Sequence, residues 1–292
     1  MFVVTLLTSP EIKNLDTALV ESLRNAWGGG DIQWLSPDEA AEFTIDDLPT
    51  NQWDVWKDVQ NVGVDLIVQP SEGRRKDMLL ADMDSTMIQQ ECIDELAAEA
   101  GVGPHVSDIT ARAMNGELDF EQALKERVGL LKGLDSAVVE TVLANRITLM
   151  PGAQTLLATM KENGAYAALV SGGFTAFTAD IAGKLGFDEN RANTLLTKDG
   201  LLTGHVAEPI LGRDAKVTAL HDISHKLGIN PDQTIAVGDG ANDLGMLELS
   251  GAGVALHAKP TVAEQCNIRV NYGDLTALLY LQGYSCDEFV ER

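Results

Sequence analysis

The sequence has few cysteines and no long apolar run, and each shortage excludes a class of protein. Its three cysteines, Cys92, Cys266 and Cys286, lie far apart, which fits neither a disulfide framework nor a zinc site. No apolar run is long enough to cross a bilayer, and the first residues carry no basic leader. We therefore expect a cytoplasmic protein that has no membrane partner.

Basic residues are also scarce, since 21 Lys and Arg stand against 44 Asp and Glu, a formal net charge of −23. This balance argues against general nucleic-acid binding, which depends on neutralising phosphates with Lys and Arg. A small phosphorylated substrate is still allowed, because one cation and a few N–H donors can bind it locally. Hydrophobic residues make up 45% and charged residues 22%, as expected for a globular protein with a sizeable core.

The hydrophobic pattern predicts three parts. Residues 1–72 contain two strand-like runs and helical spacing over 11–26, and predict a small α+β domain that either packs without chemistry or acts as a regulatory or dimerising module. Residues 76–87 and 152–292 alternate strands with helices, which predicts a doubly wound, Rossmann-like parallel α/β core. Residues 88–151 show only helical patterns, beginning with a predicted helix over 88–101, and form a helical cap inserted after the first core strand.

Polar residues follow three of the predicted core strands. Because the carboxyl ends of parallel strands meet at one edge of a sheet, we expect these side chains to lie together. They are Asp82 and Asp84, then Ser171-Gly172-Gly173, then Asp239 with Asn242 and Asp243, and Lys216 on a predicted helix is a fourth candidate. Taken alone, these groups are more commonly parts of an ordinary turn, a capped helix start or an exposed lysine.

Together these groups suit phosphate chemistry. Carboxylates are the oxygen donors that Mg²⁺ prefers, and one of them, Asp82, can attack phosphorus. Asp84 can protonate the leaving oxygen and later activate water. Ser171 and the amide of Gly172 can hold phosphate oxygens, and Lys216 can neutralise developing charge.

The stretches Asp82-Met83-Asp84-Ser85-Thr86, Ser171-Gly172-Gly173-Phe174 and 238–244 resemble the signatures of the haloacid dehalogenase superfamily, and within it those of the phosphoserine phosphatases. The helical block resembles the cap of that superfamily. The resemblance covers residue 76 to the C-terminus and is weak over 1–72, where similar proteins sometimes carry an ACT-like regulatory domain. It implies Mg²⁺-dependent hydrolysis of O-phospho-L-serine through an aspartyl-phosphate, the last step of serine biosynthesis.

The resemblance also implies roles for single residues at the metal and the reacting bond. Asp82 would be the nucleophile and a metal ligand, and Asp84 the general acid and base and a ligand through its carbonyl. Asp239 would complete the protein ligands of Mg²⁺, with Asn242 and Asp243 supporting the metal and phosphate site.

Further implied roles concern the substrate. Ser171, Gly172 and Lys216 would bind the phosphoryl group. Glu91 would bind the substrate ammonium and Arg127 its carboxylate, with Phe120 closing over the site. From the residues alone, the structural roles are the commoner ones: Glu91 as a solvated helix residue, Arg127 as a surface ion-pair partner and Phe120 as core.

Several alternatives stay open at the level of sequence. The same chemistry could serve another small ester such as phosphohomoserine, or transfer the phosphoryl group to an acceptor alcohol. A different class of function is a regulatory module that binds serine or phosphoserine through residues 1–72. A homodimer, and Mn²⁺ in place of Mg²⁺, are also compatible with the sequence.

Overall fold

The computed structural model describes residues 1–114 and 117–291. Its strands are β1 (Phe2–Leu7), β2 (Gln33–Ser36), β3 (Ala40–Ile45), β4 (Asp65–Pro70), β5 (Met78–Ala81), β6 (Tyr166–Phe174), β7 (Glu189–Asn193), β8 (Leu195–Lys198), β9 (Leu201–Val206), β10 (Thr234–Gly238), β11 (Ala252–Leu256) and β12 (Ile268–Val270). Its helices are α1 (Thr17–Ala26), α2 (Gln52–Gln60), α3 (Cys92–Glu99), α4 (Gly103–Met114), α5 (Phe120–Gly129), α6 (Val138–Asn145), α7 (Ala153–Glu162), α8 (Thr175–Leu185), α9 (Arg213–Leu227), α10 (Leu244–Leu249), α11 (Pro260–Ala263) and α12 (Ala277–Leu281). Among these described helices, none has both the length and the apolar character that a bilayer span requires.

A parallel sheet of six strands forms the core of the α/β fold, in the order β12-β11-β10-β5-β6-β7. Helices connect its successive strands, as in β10-α10-β11 and β6-α8-β7. Helices α3 to α6 follow β5 before the chain returns to the sheet at β6. This arrangement confirms the predicted doubly wound core with a helical insertion after its first strand.

The backbone packs as two compact units. The first consists of Met1–Leu80, Pro151–Ala167 and Leu220–Arg292, and the second of Ala81–Met150 and Ala168–Ala219. The first unit carries the amino-terminal sheet and the loop after β10. The second carries helices α3 to α6, the two-stranded β8-β9 sheet and the beginning of α9.

The amino-terminal segment of the first unit is a four-stranded antiparallel sheet with the order β2-β3-β1-β4. The order of its elements, β-α-β-β-α-β, is that of ferredoxin-like folds. The predicted helix over 11–26 is too long, because α1 begins only at Thr17, where the Asp16 carboxylate accepts the N–H of Ala18. Sequence reasoning also missed β3 and α2.

Residues 1–80 are joined to the C-terminal part of the first unit by buried polar contacts. The carboxylate of Asp65 is fully buried and accepts the backbone N–H groups of residues 271–273, each at 2.9 Å. Arg74 pairs with Glu42 at 2.6 Å and donates from Nε to the carbonyl of Leu281 at 2.9 Å. The amino-terminal sheet is therefore an integral part of this unit.

The helical block of the second unit is entered and left through two hydrogen-bonded connections. Ile88 forms a β-bridge with Leu149, and the N–H of Gln89 donates to the carbonyl of Thr148 at 3.0 Å. The predicted helix over 88–101 therefore starts too early, since α3 begins at Cys92. Residues 88–90 lie outside the helix because the backbone of Ile88 and Gln89 pairs with residues 148–149.

Candidate active site

Asp82 directly follows β5, as the sequence predicted for a residue at a strand end. Its Oδ1 accepts hydrogen bonds from Nζ of Lys216 at 2.7 Å and from the N–H of Met83 at 2.8 Å. The two charged side chains are almost fully buried, with 2% of Lys216 and 7% of Asp82 exposed. The ion pair and the backbone donor fix this carboxylate in a single orientation.

Asp84 lies in surroundings that favour its neutral form. Removal from water raises its pKa to about 7, with the negative charge of Glu91 as the next cause. The N–H of Cys92, which donates to Oδ1 of Asp84 at 3.3 Å, and the charge of Lys216 act in the opposite direction. A carboxyl that titrates near neutrality can both donate and accept a proton.

The loop Ser171-Gly172-Gly173 comes close to Asp84. The Ser171 hydroxyl oxygen accepts the N–H of Gly173 at 2.9 Å. A Cβ at position 173 would lie 2.9 Å from Oδ2 of Asp84, closer than Cβ atoms approach, so only glycine fits there. A Cβ at Gly172 would lie 3.0 Å from the ring of Phe120. The second unit thus brings Asp84, the loop and Phe120 together.

The predicted substrate-binding residues of the helical block occupy different environments. Glu91 is exposed just before α3, and its Oε1 accepts a hydrogen bond from the Ser85 hydroxyl at 2.7 Å. Ser85 has a left-handed backbone with φ 54°, which is unusual for a residue other than glycine. Arg127 lies half-buried on α5; burial lowers its pKa, whereas the charges of Asp94 and Glu91 raise it. Its guanidinium therefore sits among carboxylates.

A cavity of about 550 Å³ lies beside Phe120 at the start of α9. Its lining includes Val170, Leu211 and Gly212, together with Arg191 and Arg213. The cavity offers room next to the loop that follows Val170.

The loop after β10, in the first unit, carries Asp239, Asn242 and Asp243. Asp243 is fully buried, and its Oδ2 accepts the N–H of Gly240 at 2.9 Å. The carbonyl of Gly240 in turn accepts the N–H of Asp243 at 3.0 Å. A side chain at Gly238 would overlap the Asp243 carboxylate, so glycine is required there too. Asp239 and Asn242 are half-buried in this tight turn.

Two residues of the second unit were not singled out from the sequence. Ser85 was part of a recognised motif, but its bond to Glu91 has no local signal. Asn193, at the end of β7, is 2% exposed and its side chain makes three hydrogen bonds. An asparagine just before a hairpin is so common that its sequence position gives no hint of this role.

The haloacid dehalogenase-like hydrolase family model matches residues 79–248. The matched segment contains all the candidate residues named above at the ends of β5, β6 and β10.

Several individual proteins are also similar to this chain in sequence or in structure. A phosphoserine phosphatase of Streptomyces coelicolor is 43% identical over 256 residues, covering 86% of this chain and 62% of that protein. The chain spans less than two thirds of the length of this relative and of a second one from Archaeoglobus fulgidus, at 65%. A haloacid dehalogenase family hydrolase of Salmonella enterica has a TM-score of 0.86 and 31% identity, covering 96% of this chain and 98% of its own. The structure of a substrate-bound phosphoserine phosphatase has a TM-score of 0.66 and 43% sequence identity. The match covers 70% of this chain and 98% of the other.

Proposed function

Because this chain belongs to the haloacid dehalogenase-like hydrolases, we propose that it hydrolyses O-phospho-L-serine to L-serine and phosphate. The observation that carries the proposal is the buried pair of Asp82 and Lys216 next to an Asp84 with a raised pKa. The similarity to phosphoserine phosphatases supports the same substrate.

The reaction proceeds in two steps, formation of the aspartyl-phosphate and its hydrolysis. A carboxylate oxygen of Asp82 attacks phosphorus, the bond from phosphorus to the serine oxygen breaks, and Asp84 gives its proton to the departing alkoxide. Asp84, now ionised, takes a proton from water, whose oxygen attacks the phosphorus of the aspartyl-phosphate. Phosphate leaves and Asp82 is restored. Lys216, Ser171 and the Gly172 amide stabilise the charge on the phosphoryl oxygens.

We further propose that Asp82 and Asp239, with the carbonyl of Asp84, hold Mg²⁺. The donor set fits this ion, since it consists of oxygens only. The ion would neutralise phosphate charge. Asn242 and the buried Asp243 stabilise the conformation of the turn around Asp239.

We assign recognition of the serine part of the substrate to the helical block. Glu91 binds the ammonium, and Arg127 binds the carboxylate through two parallel N–H bonds, which its planar fork allows. Phe120, whose ring faces Gly172, covers the bound ester. A role in serine biosynthesis, a cytoplasmic location and a homodimer stay predictions of the sequence.

The test is phosphate release from O-phospho-L-serine by wild type, Asp82→Asn and the control Asp199→Asn, with Mg²⁺ and with EDTA. Asp199 is exposed in the β8-β9 turn and is positioned to tolerate asparagine at its φ of 52°. We expect metal-dependent release by wild type and control, and a loss on the order of 10⁴ in kcat for Asp82→Asn. Activity in Asp82→Asn close to that of wild type would contradict the assigned nucleophile.

A second comparison tests the substrate. Arg127→Ala should impair hydrolysis of phosphoserine far more than that of an alkyl phosphate that has no carboxylate, while Arg112→Ala on α4 changes neither. Equal losses on both esters would remove Arg127 from carboxylate binding. Faster turnover of phosphohomoserine than of phosphoserine would leave the phosphatase chemistry but replace the substrate.

A further inference from the structure

The pairing of β6 with β7 is interrupted at the loop Ser171-Gly172-Gly173. The two strands are in parallel register at Val170 opposite Arg191, and register resumes at Phe174 opposite Asn193. Residues 171–173 therefore face a single residue of β7, which makes a bulge. Backbone groups within a bulge lose their partners in the sheet, so the carbonyl of the half-buried Gly172 needs another donor.

The side chain of Asn193 supplies that donor. Its Nδ2 donates to the carbonyl of Gly172 at 2.9 Å and to the carbonyl of Leu211 at 3.1 Å. Its Oδ1 accepts the N–H of Leu211 at 2.8 Å. Both N–H groups of the amide are used, and only 2% of the residue is exposed. One side chain thus joins the bulge to the segment that leads into α9.

We infer that Asn193 is a positioning residue, which fixes the spacing between the two phosphate-binding segments without touching phosphate itself. The inference rests on the proposed function, in which Ser171 and Gly172 lie on one segment and Lys216 on the other. A phosphoryl group held from both sides requires this spacing to be constant. The buried, fully paired amide has few alternative arrangements and provides that constancy.

Asn193→Asp and Asn193→Ala test the inference. Aspartate has the same size but no N–H, so it leaves the carbonyls of Gly172 and Leu211 without donors. We expect the Kd of inorganic phosphate for the Mg²⁺-loaded protein to rise roughly tenfold or more, and kcat/KM to fall by about 10- to 100-fold. The measurements are calorimetric titration and phosphate release, made at a temperature where circular dichroism shows each variant to be folded.

The matched control is Asn190→Ala, on the same strand. Asn190 is exposed, and its side chain accepts a hydrogen bond from the Thr178 hydroxyl on α8 at 2.9 Å. Asn193→Ala with weakened phosphate binding, and Asn190→Ala with wild-type binding, support the inference. Wild-type phosphate binding in both Asn193 variants overturns it, even if they melt at lower temperature.

Hydrogen exchange in wild type gives a test that needs no variant. The N–H of Leu211 should exchange more slowly when inorganic phosphate is added, because phosphate tightens both segments that Asn193 joins. Unchanged exchange at Leu211 alongside measurable phosphate binding overturns the inference. Failure of the proposed function looks different, because wild type itself then releases no phosphate from O-phospho-L-serine.

Discussion

Nζ of Lys216 lies 2.7 Å from Oδ1 of Asp82, and both side chains are almost fully buried. A buried ion pair costs much desolvation free energy, so removing one partner leaves an uncompensated charge and is strongly destabilising. Such a pair adds little to stability over an apolar alternative. Its presence at the end of β5 is best explained by chemistry on Asp82.

Lys216→Met should therefore damage both stability and activity. In metal-free buffer we expect the free energy of unfolding to fall by about 3–5 kcal/mol, measured by urea denaturation, because Asp82 loses its partner. Lys184→Met is the control, since Lys184 pairs with Asp180 at the surface and should cost less than about 1 kcal/mol. Equal stability of the two variants would show that the buried pair is not the source of the effect.

Ser85→Ala removes the hydroxyl that donates to Glu91. A hydrogen bond to a charged group contributes about 1.5–3 kcal/mol, so we expect KM for phosphoserine to rise roughly tenfold while kcat changes little. An alkyl phosphate without an ammonium should show no change. Steady-state kinetics on the two esters make the comparison, and a loss shared by both would mean that Ser85 supports the loop rather than Glu91.

Activity should fall at alkaline pH, because Asp84 must be protonated to serve the leaving oxygen and its pKa is raised to about 7. The charge of Glu91 contributes to this increase, so Glu91→Gln should lower the pKa of Asp84 and move the alkaline limb to lower pH. The pH profile of kcat for an alkyl phosphate measures the shift without involving ammonium binding. A limb that moves to higher pH would contradict the assignment.

Asp65→Asn tests how residues 1–80 are held. Asparagine places N–H groups where residues 271–273 already donate, so buried donors lose their acceptor at a cost of about 1–3 kcal/mol. The control Asp58→Asn changes an exposed acid on α2 and should leave the urea midpoint unchanged. Equal midpoints for Asp65→Asn and wild type would show that these contacts do not stabilise the unit.

The α/β architecture and the positions of the strand-end residues were predictable because their signals are local. An apolar run that stops at Asp82, and another that stops before Asp239, mark strands by composition alone. Local signals failed where tertiary pairing decided the conformation. Residues 88–90 have a helical pattern but lie outside α3, since residues 148–149 pair with the backbone of Ile88 and Gln89.

The sequence by itself determined the fold class, the strand ends that carry polar residues and the residue types available for phosphate chemistry. Only the tertiary structure decided which of these groups meet: Lys216 with Asp82, Ser85 with Glu91, and Asn193 with both the Gly172 bulge and Leu211. Periodicity records which face of an element is buried. It does not record the partner of a polar side chain, because that partner comes from distant parts of the chain and is chosen by packing.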